Sequence, residues 1–210
     1  MIVIYGYPNT RALRITWLLA ELSAPYDYHL VDLMKGDLQS ADYLAVNPAG
    51  KIPALKDGDF ICTESVAIMA YLCDKFAKNR LIPTVGTIQR AKYNQWTSFV
   101  ISELEQPLWT IGKHTFALPK KYRLKEVIPT AEWEFQSALA LLSQGLGQKE
   151  YILGDSFSAA DVLIGHTLLW GTFFKQTIEH KNLQDYMQRL MARPALKQAQ
   201  AKENASINKS

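Results

Sequence analysis

Residues 47 to 68 constrain the fold most. Asn47-Pro48-Ala49-Gly50-Lys51-Ile52-Pro53-Ala54-Leu55 is followed, after Asp57-Gly58, by Thr63-Glu64-Ser65-Val66-Ala67-Ile68. Pro53 removes a backbone donor where a strand begins, and the Ile52-Pro53 bond is of the type at which a cis peptide costs little. Asp57-Gly58 reads as a hairpin turn. Glu64 and Ser65 then stand in the first turn of an apolar helix. The free N–H groups and positive dipole end of that helix attract a carboxylate, while the Glu64 side chain accepts an ammonium. Taken alone, Thr63, Glu64 and Ser65 read first as a helix cap, and the Pro53 loop at its spacing from them is what turns the reading to a ligand site. As a ligand site, the pattern points to a zwitterionic, peptide-like molecule.

Around this segment the first part of the chain alternates. A strand over 2–5, a helix over 11–22, a strand over 26–31 and a short piece around Asp42 precede strands over 54–56 and 60–62 and a helix over 65–76. This βαβ-then-ββα order is that of a thioredoxin-like layer. Leu13, Trp17, Leu18 and Leu22 recur at helical spacing and read as core. Pro83 and Gly86 punctuate a linker, after which strand alternation does not return. Helical patterns run over 87–108, 129–146, 158–174 and 183–191, and the polar residues after Pro194 are expected to fray. The expected division is a thioredoxin-like α/β domain over 1–79, with a mixed four-stranded sheet, a linker over 80–86, and an all-α helical bundle over 87–210. Within that bundle Ser158 and Asp161 form a short capping box, a folding device.

Composition narrows the function classes. Lys and Arg number 23 against 20 Asp and Glu, scattered apart from Lys120-Lys121-Tyr122-Arg123, so nucleic acid is not an expected partner. The two cysteines, Cys62 and Cys73, form no C-x-x-C pair, and His29, His114, His166 and His180 are isolated, so no metal is expected. No apolar run has the length of a bilayer span, and Met1 leads directly into a short strand. No membrane association and a cytoplasmic location are expected.

The Pro53 loop at its spacing from Glu64-Ser65, with the helices that follow, resembles the cytosolic glutathione transferases along essentially the whole chain. The resemblance implies glutathione as co-substrate, with Ser65 receiving the γ-glutamyl carboxylate and Glu64 the amino group. Pro53, following a cis Ile52-Pro53 bond, would fix the loop from which the Ile52 backbone pairs with the cysteinyl part, and Lys51 would lie near the glycine carboxylate. It also implies a homodimer, a small-molecule electrophile as second substrate, and a detoxification role.

The reaction so implied needs the glutathione thiolate, whereas a free thiol has a pKa of about 8.5. Lowering it by ~2 units takes roughly 2.7 kcal/mol, within reach of a hydroxyl hydrogen bond combined with a helix N-terminus. Members of the theta and delta kind place a serine two residues after a proline and four before an arginine. Here Pro8-Asn9-Thr10-Arg11-Ala12-Leu13-Arg14 puts Thr10 at that position. Thr10 is the first choice for the thiolate donor and Tyr7 the second; a helix N-cap is the ordinary role of such a threonine. Asn9 and Arg11 flank the turn, where they would polarise the sulfur or simply face solvent. The electrophile pocket would be apolar, with Tyr7 on one wall and Phe99, Glu103, Trp109, Lys113 and Phe116 as candidates from the helical part. Aromatics there also read as core packing.

Two alternatives share this scaffold: a glutathione-dependent disulfide reductase or peroxidase, and a non-catalytic glutathione-transferase-like binding protein. No cysteine lies in the turn between Tyr7 and Arg14, which argues against chemistry through a protein thiol there.

Overall fold

The computed structural model describes residues 1–76 and 81–207, which form two compact units. The first comprises residues 1–82 together with the chain from Ala192 onward; the second spans Pro83–Met191.

In the first unit, β1 (Ile2–Gly6), α1 (Ala12–Glu21), β2 (Asp27–Leu30), α2 (Ala41–Val46), β3 (Ala54–Asp57), β4 (Phe60–Thr63) and α3 (Ser65–Phe76) follow in order. The sheet runs β2-β1-β3-β4, with β1 parallel to β2 and antiparallel to β3, and β3 antiparallel to β4. Ile2 and Ile4 alternate inward with half-exposed Val3 and Tyr5, giving β1 the period of two that buries one face. Residues 12–19 of α1 are all buried, because the helix is packed by β1, by α3 and by a C-terminal helix, α9 (Pro194–Ile207).

That last contact differs from the sequence expectation. Residues beyond Pro194 form a regular helix against α1 and belong with the first unit, rather than fraying at the end of a helical domain over 87–210. The reason is a narrow stripe: Leu196, Ala199 and Glu203, spaced three and four apart, are buried, while the rest of the helix is polar. Arg193 ties the helix entry to α1, its Nε and Nη2 donating to the two carboxylate oxygens of Glu21 at 2.5 and 2.7 Å. The expected boundary at residues 79 and 80 lies outside the described residues.

The second unit is helical. It contains α4 (Ile88–Phe99), α5 (Glu105–Gly112), α6 (Ile128–Leu146), α7 (Ala159–Phe173) and α8 (Lys181–Met191). The single helix expected over 87–108 is interrupted: residues Val100–Leu104 form a π-helical segment before α5, and Lys113–Ala117 form another after it. Pro107 supplies a local cause, since it offers no N–H to the Glu103 carbonyl and its ring crowds that oxygen. Trp96 lies so close to α6 that a Cβ on Gly145 would stand 2.1 Å from its indole, so only glycine admits that packing.

At the start of α7, Asp161 is fully buried. Its Oδ2 accepts the Ser158 amide at 2.8 Å and the Ser158 hydroxyl at 2.7 Å. Its Oδ1 accepts the Ile152 amide at 2.9 Å and the Tyr186 hydroxyl. Burial lifts the carboxyl above the usual range against the opposing pull of these bonds. Asp161→Ala strands the Ile152 and Ser158 amides and the Tyr186 hydroxyl, each costing about 1 to 3 kcal/mol when buried unsatisfied. A loss of at least ~3 kcal/mol is expected in urea unfolding; an unchanged midpoint would show the box to be dispensable.

Candidate functional site

The register of the sheet gathers the sequence-marked residues at one end. Ala54, the first residue of β3, pairs with Tyr5 near the end of β1 and with Thr63 at the end of β4. Three connections therefore leave the sheet side by side: Tyr7 to Arg11, the loop ending in Ile52-Pro53, and the Glu64-Ser65 entry into α3.

The Pro53 loop is held from within. The Ile52-Pro53 bond is cis, as expected. Asn47 Oδ1 accepts the Ala49 amide at 3.1 Å and the Gly50 amide donates to the Asn47 carbonyl at 2.9 Å, closing a turn. Gly50 is required there, because its φ is 59° and a Cβ would meet Gln39 Nε2 at 2.8 Å. Both the Tyr43 hydroxyl and Asn47 Nδ2 donate to the Lys51 carbonyl at 2.6 Å. Burial pushes the Tyr43 phenol up to about 12, so it acts as a donor. Lys51 is exposed, and half-buried Ile52 lies just before the β3 ladder.

Beside this loop, at the end of β4, Glu64 adopts φ 65°, a left-handed conformation that costs a residue with a side chain roughly 1 to 2 kcal/mol. It turns β4 into α3, leaving Glu64 exposed and Ser65 buried. Arg14 of α1, fully buried, donates from Nη1 to Ser65 Oγ at 3.1 Å. A cation is thus fixed behind the hydroxyl at the α3 N-terminus. In the sequence Arg14 serves only as the arginine four residues after Thr10. Its signal was a charged residue inside the apolar run Ala12 to Leu19.

In the first connection, Asn9 also takes a left-handed conformation, φ 61°. Thr10 Oγ1 donates to the Tyr7 carbonyl at 2.6 Å and accepts the Ala12 amide at 3.2 Å. The hydroxyl is therefore half-buried beside the α1 N-terminus, its proton directed back along the turn. Tyr7 and Arg11 are half-buried and Asn9 is exposed. Tyr5 packs between His29, with ring centroids 4.9 Å apart, and Tyr43, at 6.0 Å.

The electrophile candidates of the second unit occupy its first helices. Phe99 ends α4 and packs edge-on to Trp96 at 5.3 Å. Glu103, exposed, and half-buried Lys113 lie in the two π segments, and half-buried Trp109 lies in α5 between them. Phe116 is exposed and stacks on Phe174 at 6.3 Å. None of the five is fully buried core. Arg123 closes this stretch, donating to the Thr115, Phe116 and Leu118 carbonyls at 2.6 to 2.8 Å. Among the described residues, no group of three His, Cys, Asp or Glu side chains is arranged to hold a metal ion, and no helix is long and apolar enough to cross a membrane.

A thioredoxin-like layer with this loop, followed by a helical unit, is an arrangement shared with known proteins. Residues 2–74 match the glutathione S-transferase N-terminal domain and residues 106–194 the C-terminal domain, so the chain belongs to the glutathione S-transferase family. Glutathione S-transferase GstA of Escherichia coli O157:H7 is 32% identical over 176 residues, 82% of this chain and 84% of that protein. A glutathione transferase of Methylococcus capsulatus superposes with a TM-score of 0.86 at 26% identity, covering 98% of this chain and all of that one. BphK, a bacterial transferase seen in a ternary complex, gives 0.86 at 27%, covering 96% and 99%.

Replacing Glu64 by glycine separates backbone strain from side-chain chemistry. Relief of the left-handed conformation exceeds the entropy that glycine adds, so Glu64→Gly is expected to raise stability by up to about 1 kcal/mol in urea unfolding. A loss of stability would show that the Glu64 side chain itself holds the turn.

Proposed function

We propose that this protein is a glutathione transferase that activates the glutathione thiol for attack on an apolar electrophile. The observation that carries the proposal is Ser65 at the α3 N-terminus, backed by buried Arg14 and set beside the cis-Pro53 loop by the pairing of Ala54 with Thr63. An α-carboxylate placed there meets the Ser65 hydroxyl, the helix N–H groups and, through the hydroxyl, a fixed positive charge. Glu64 takes the adjacent ammonium, the Ile52 backbone pairs with the cysteinyl unit, and Lys51 attracts the glycine carboxylate. The names borne by GstA and by the matched family domains support glutathione as the ligand.

Thr10 is assigned to the thiol. Its oxygen already accepts the Ala12 amide, which polarises the hydroxyl, so turning its proton from the Tyr7 carbonyl toward a sulfur yields a strengthened donor beside the α1 N-terminus. The thiol proton passes to solvent and the sulfur lone pair forms a C–S bond. With an aryl halide, the C–halogen bond breaks and halide departs with its electron pair. Tyr7 and the Phe99, Glu103, Trp109, Lys113 and Phe116 group are assigned to the electrophile. The homodimer and the cytoplasmic, detoxifying role are proposed with the family.

A second reading draws on the same hydroxyl. Its 2.6 Å bond to the Tyr7 carbonyl competes with donation to sulfur, as in a protein that binds glutathione without activating it. Calorimetry with glutathione, followed by assays with aryl halides, hydroperoxides and small disulfides, separates the two. Binding without turnover favours the second, and disulfide reduction alone favours a reductase.

Ser65→Ala and Glu64→Gln are expected to weaken glutathione binding by about 1.5 to 3 kcal/mol for the lost charge-assisted bond, while folding changes by about 1 kcal/mol. Unchanged affinity in both variants would remove the site. Thr10→Val is expected to raise the apparent pKa of bound glutathione by thiolate absorbance and to leave affinity nearly intact, whereas Thr10→Ser retains activity. A rise in Tyr7→Phe but not in Thr10→Val would transfer the role to the phenol.

A further inference from the structure

Glu203, on α9, is 1% exposed. Its Oε1 accepts the Thr16 hydroxyl at 2.7 Å, and the carboxyl group takes a backbone hydrogen bond from the Asn9 amide. Asn9 is the left-handed residue immediately before Thr10, and the Thr10 hydroxyl reaches back to Tyr7 on its other side. The C-terminal helix thus grips the middle of the turn that carries the thiol-activating hydroxyl.

We propose that Glu203 is a positioning residue for the active-site turn: it holds the Asn9 amide, and through it fixes where the Thr10 hydroxyl points. The role rests on the assignment of Thr10 given above. Packing alone does not account for a carboxyl here. Both hydrogen bonds come from neutral donors, and burial outweighs them, pushing the group up to about 8. The neighbouring titratable groups do not neutralise it. Tyr26 and Tyr28, from the β2 side, have phenols raised by burial and by the Glu203 charge, and among the described residues the buried Tyr28 hydroxyl has no hydrogen-bond partner. Lys202 of α9 donates to the Tyr26 carbonyl at 2.7 Å and sits over that ring, with Asp27 acting on it. On α1, Arg14 is directed to Ser65 and Glu21 to Arg193, with Arg11 at the helix start; Lys197 is the remaining cation of the described part of α9.

Two pH effects of opposite sign follow. The folded-state value lies above the ordinary 4.5, so this group's contribution to stability is complete below about 4.5 and is lost as pH rises through about 8. Over the upper part of the same interval the group becomes a carboxylate, and its bond to the Asn9 amide strengthens. A group that served only to stabilise the fold would not tighten the turn while weakening the whole.

The test uses the full chain labelled with nitrogen-15, following the Asn9 amide from about pH 6 to 10, around the ionisation of Glu203. The wild type is expected to show a downfield titration of that amide near pH 8, absent in Glu203→Gln. At about pH 9, where Glu203 is the carboxylate, Glu203→Gln is expected to lower kcat with glutathione and an aryl halide about three- to tenfold, the worth of the charge assistance to one hydrogen bond, with KM for glutathione within about twofold; at about pH 6, where both side chains are neutral, the two proteins are expected to turn over alike. An Asn9 amide that does not titrate in the wild type, or titrates alike in the variant, overturns the hold itself, whatever the activity. A titrating amide with unchanged kcat overturns its bearing on the turn. A wild type that binds glutathione but conjugates nothing refutes the Thr10 assignment and the positioning role with it, while the amide titration still decides whether Glu203 holds Asn9.

Discussion

The pairing of Ala54 with Tyr5 on one side and Thr63 on the other is the constraint on which the rest depends. Side chains alternate along a strand, so a slip of one residue would reverse every side chain of β3 and expose Leu55. Burial therefore fixes the register, and the register fixes which three connections emerge together. Recognition of a ligand at this end of the sheet is a by-product of keeping Leu55 and Ile4 out of water.

Each connection then contributes what its backbone cannot supply unaided. Asn9 and Glu64 hold left-handed conformations, and the loop before Pro53 is braced by Tyr43 and Asn47. Strained residues persist where their surroundings over-determine them, and here those surroundings are the sheet and α1. Arg14 shows the same logic in charge. An arginine buried completely is costly to fold, and its hydrogen bond to Ser65 places that cost at the mouth of α3.

Much of this was legible in the sequence, for identifiable reasons. The period of two in Ile2 to Tyr5 and the helical spacing of Leu13, Trp17 and Leu18 report burial directly, and Pro53 marks its loop because proline alters the backbone itself. What escaped was decided by tertiary contact. The stripe Leu196, Ala199, Glu203 contains a carboxyl and is surrounded by Lys, Gln and Asn, so α9 reads as polar until α1 is seen to cover it. The π segment Val100–Leu104 depends on how the chain accommodates Pro107, and the direction of the Thr10 hydroxyl on a carbonyl three residues back that composition does not single out.

Because α9 closes over α1, the first unit is assembled from both ends of the chain. During synthesis the sheet and α1 emerge first, and about 110 residues of the second unit follow before the Leu196 stripe exists. At roughly 5 to 20 residues per second, the apolar flank of α1 waits on the order of 5 to 20 seconds for its cover. The second unit is contiguous and has no such wait. Its helices can complete their core while the earlier-made half is still open, so the order in which the two units finish is the reverse of the order in which they are begun.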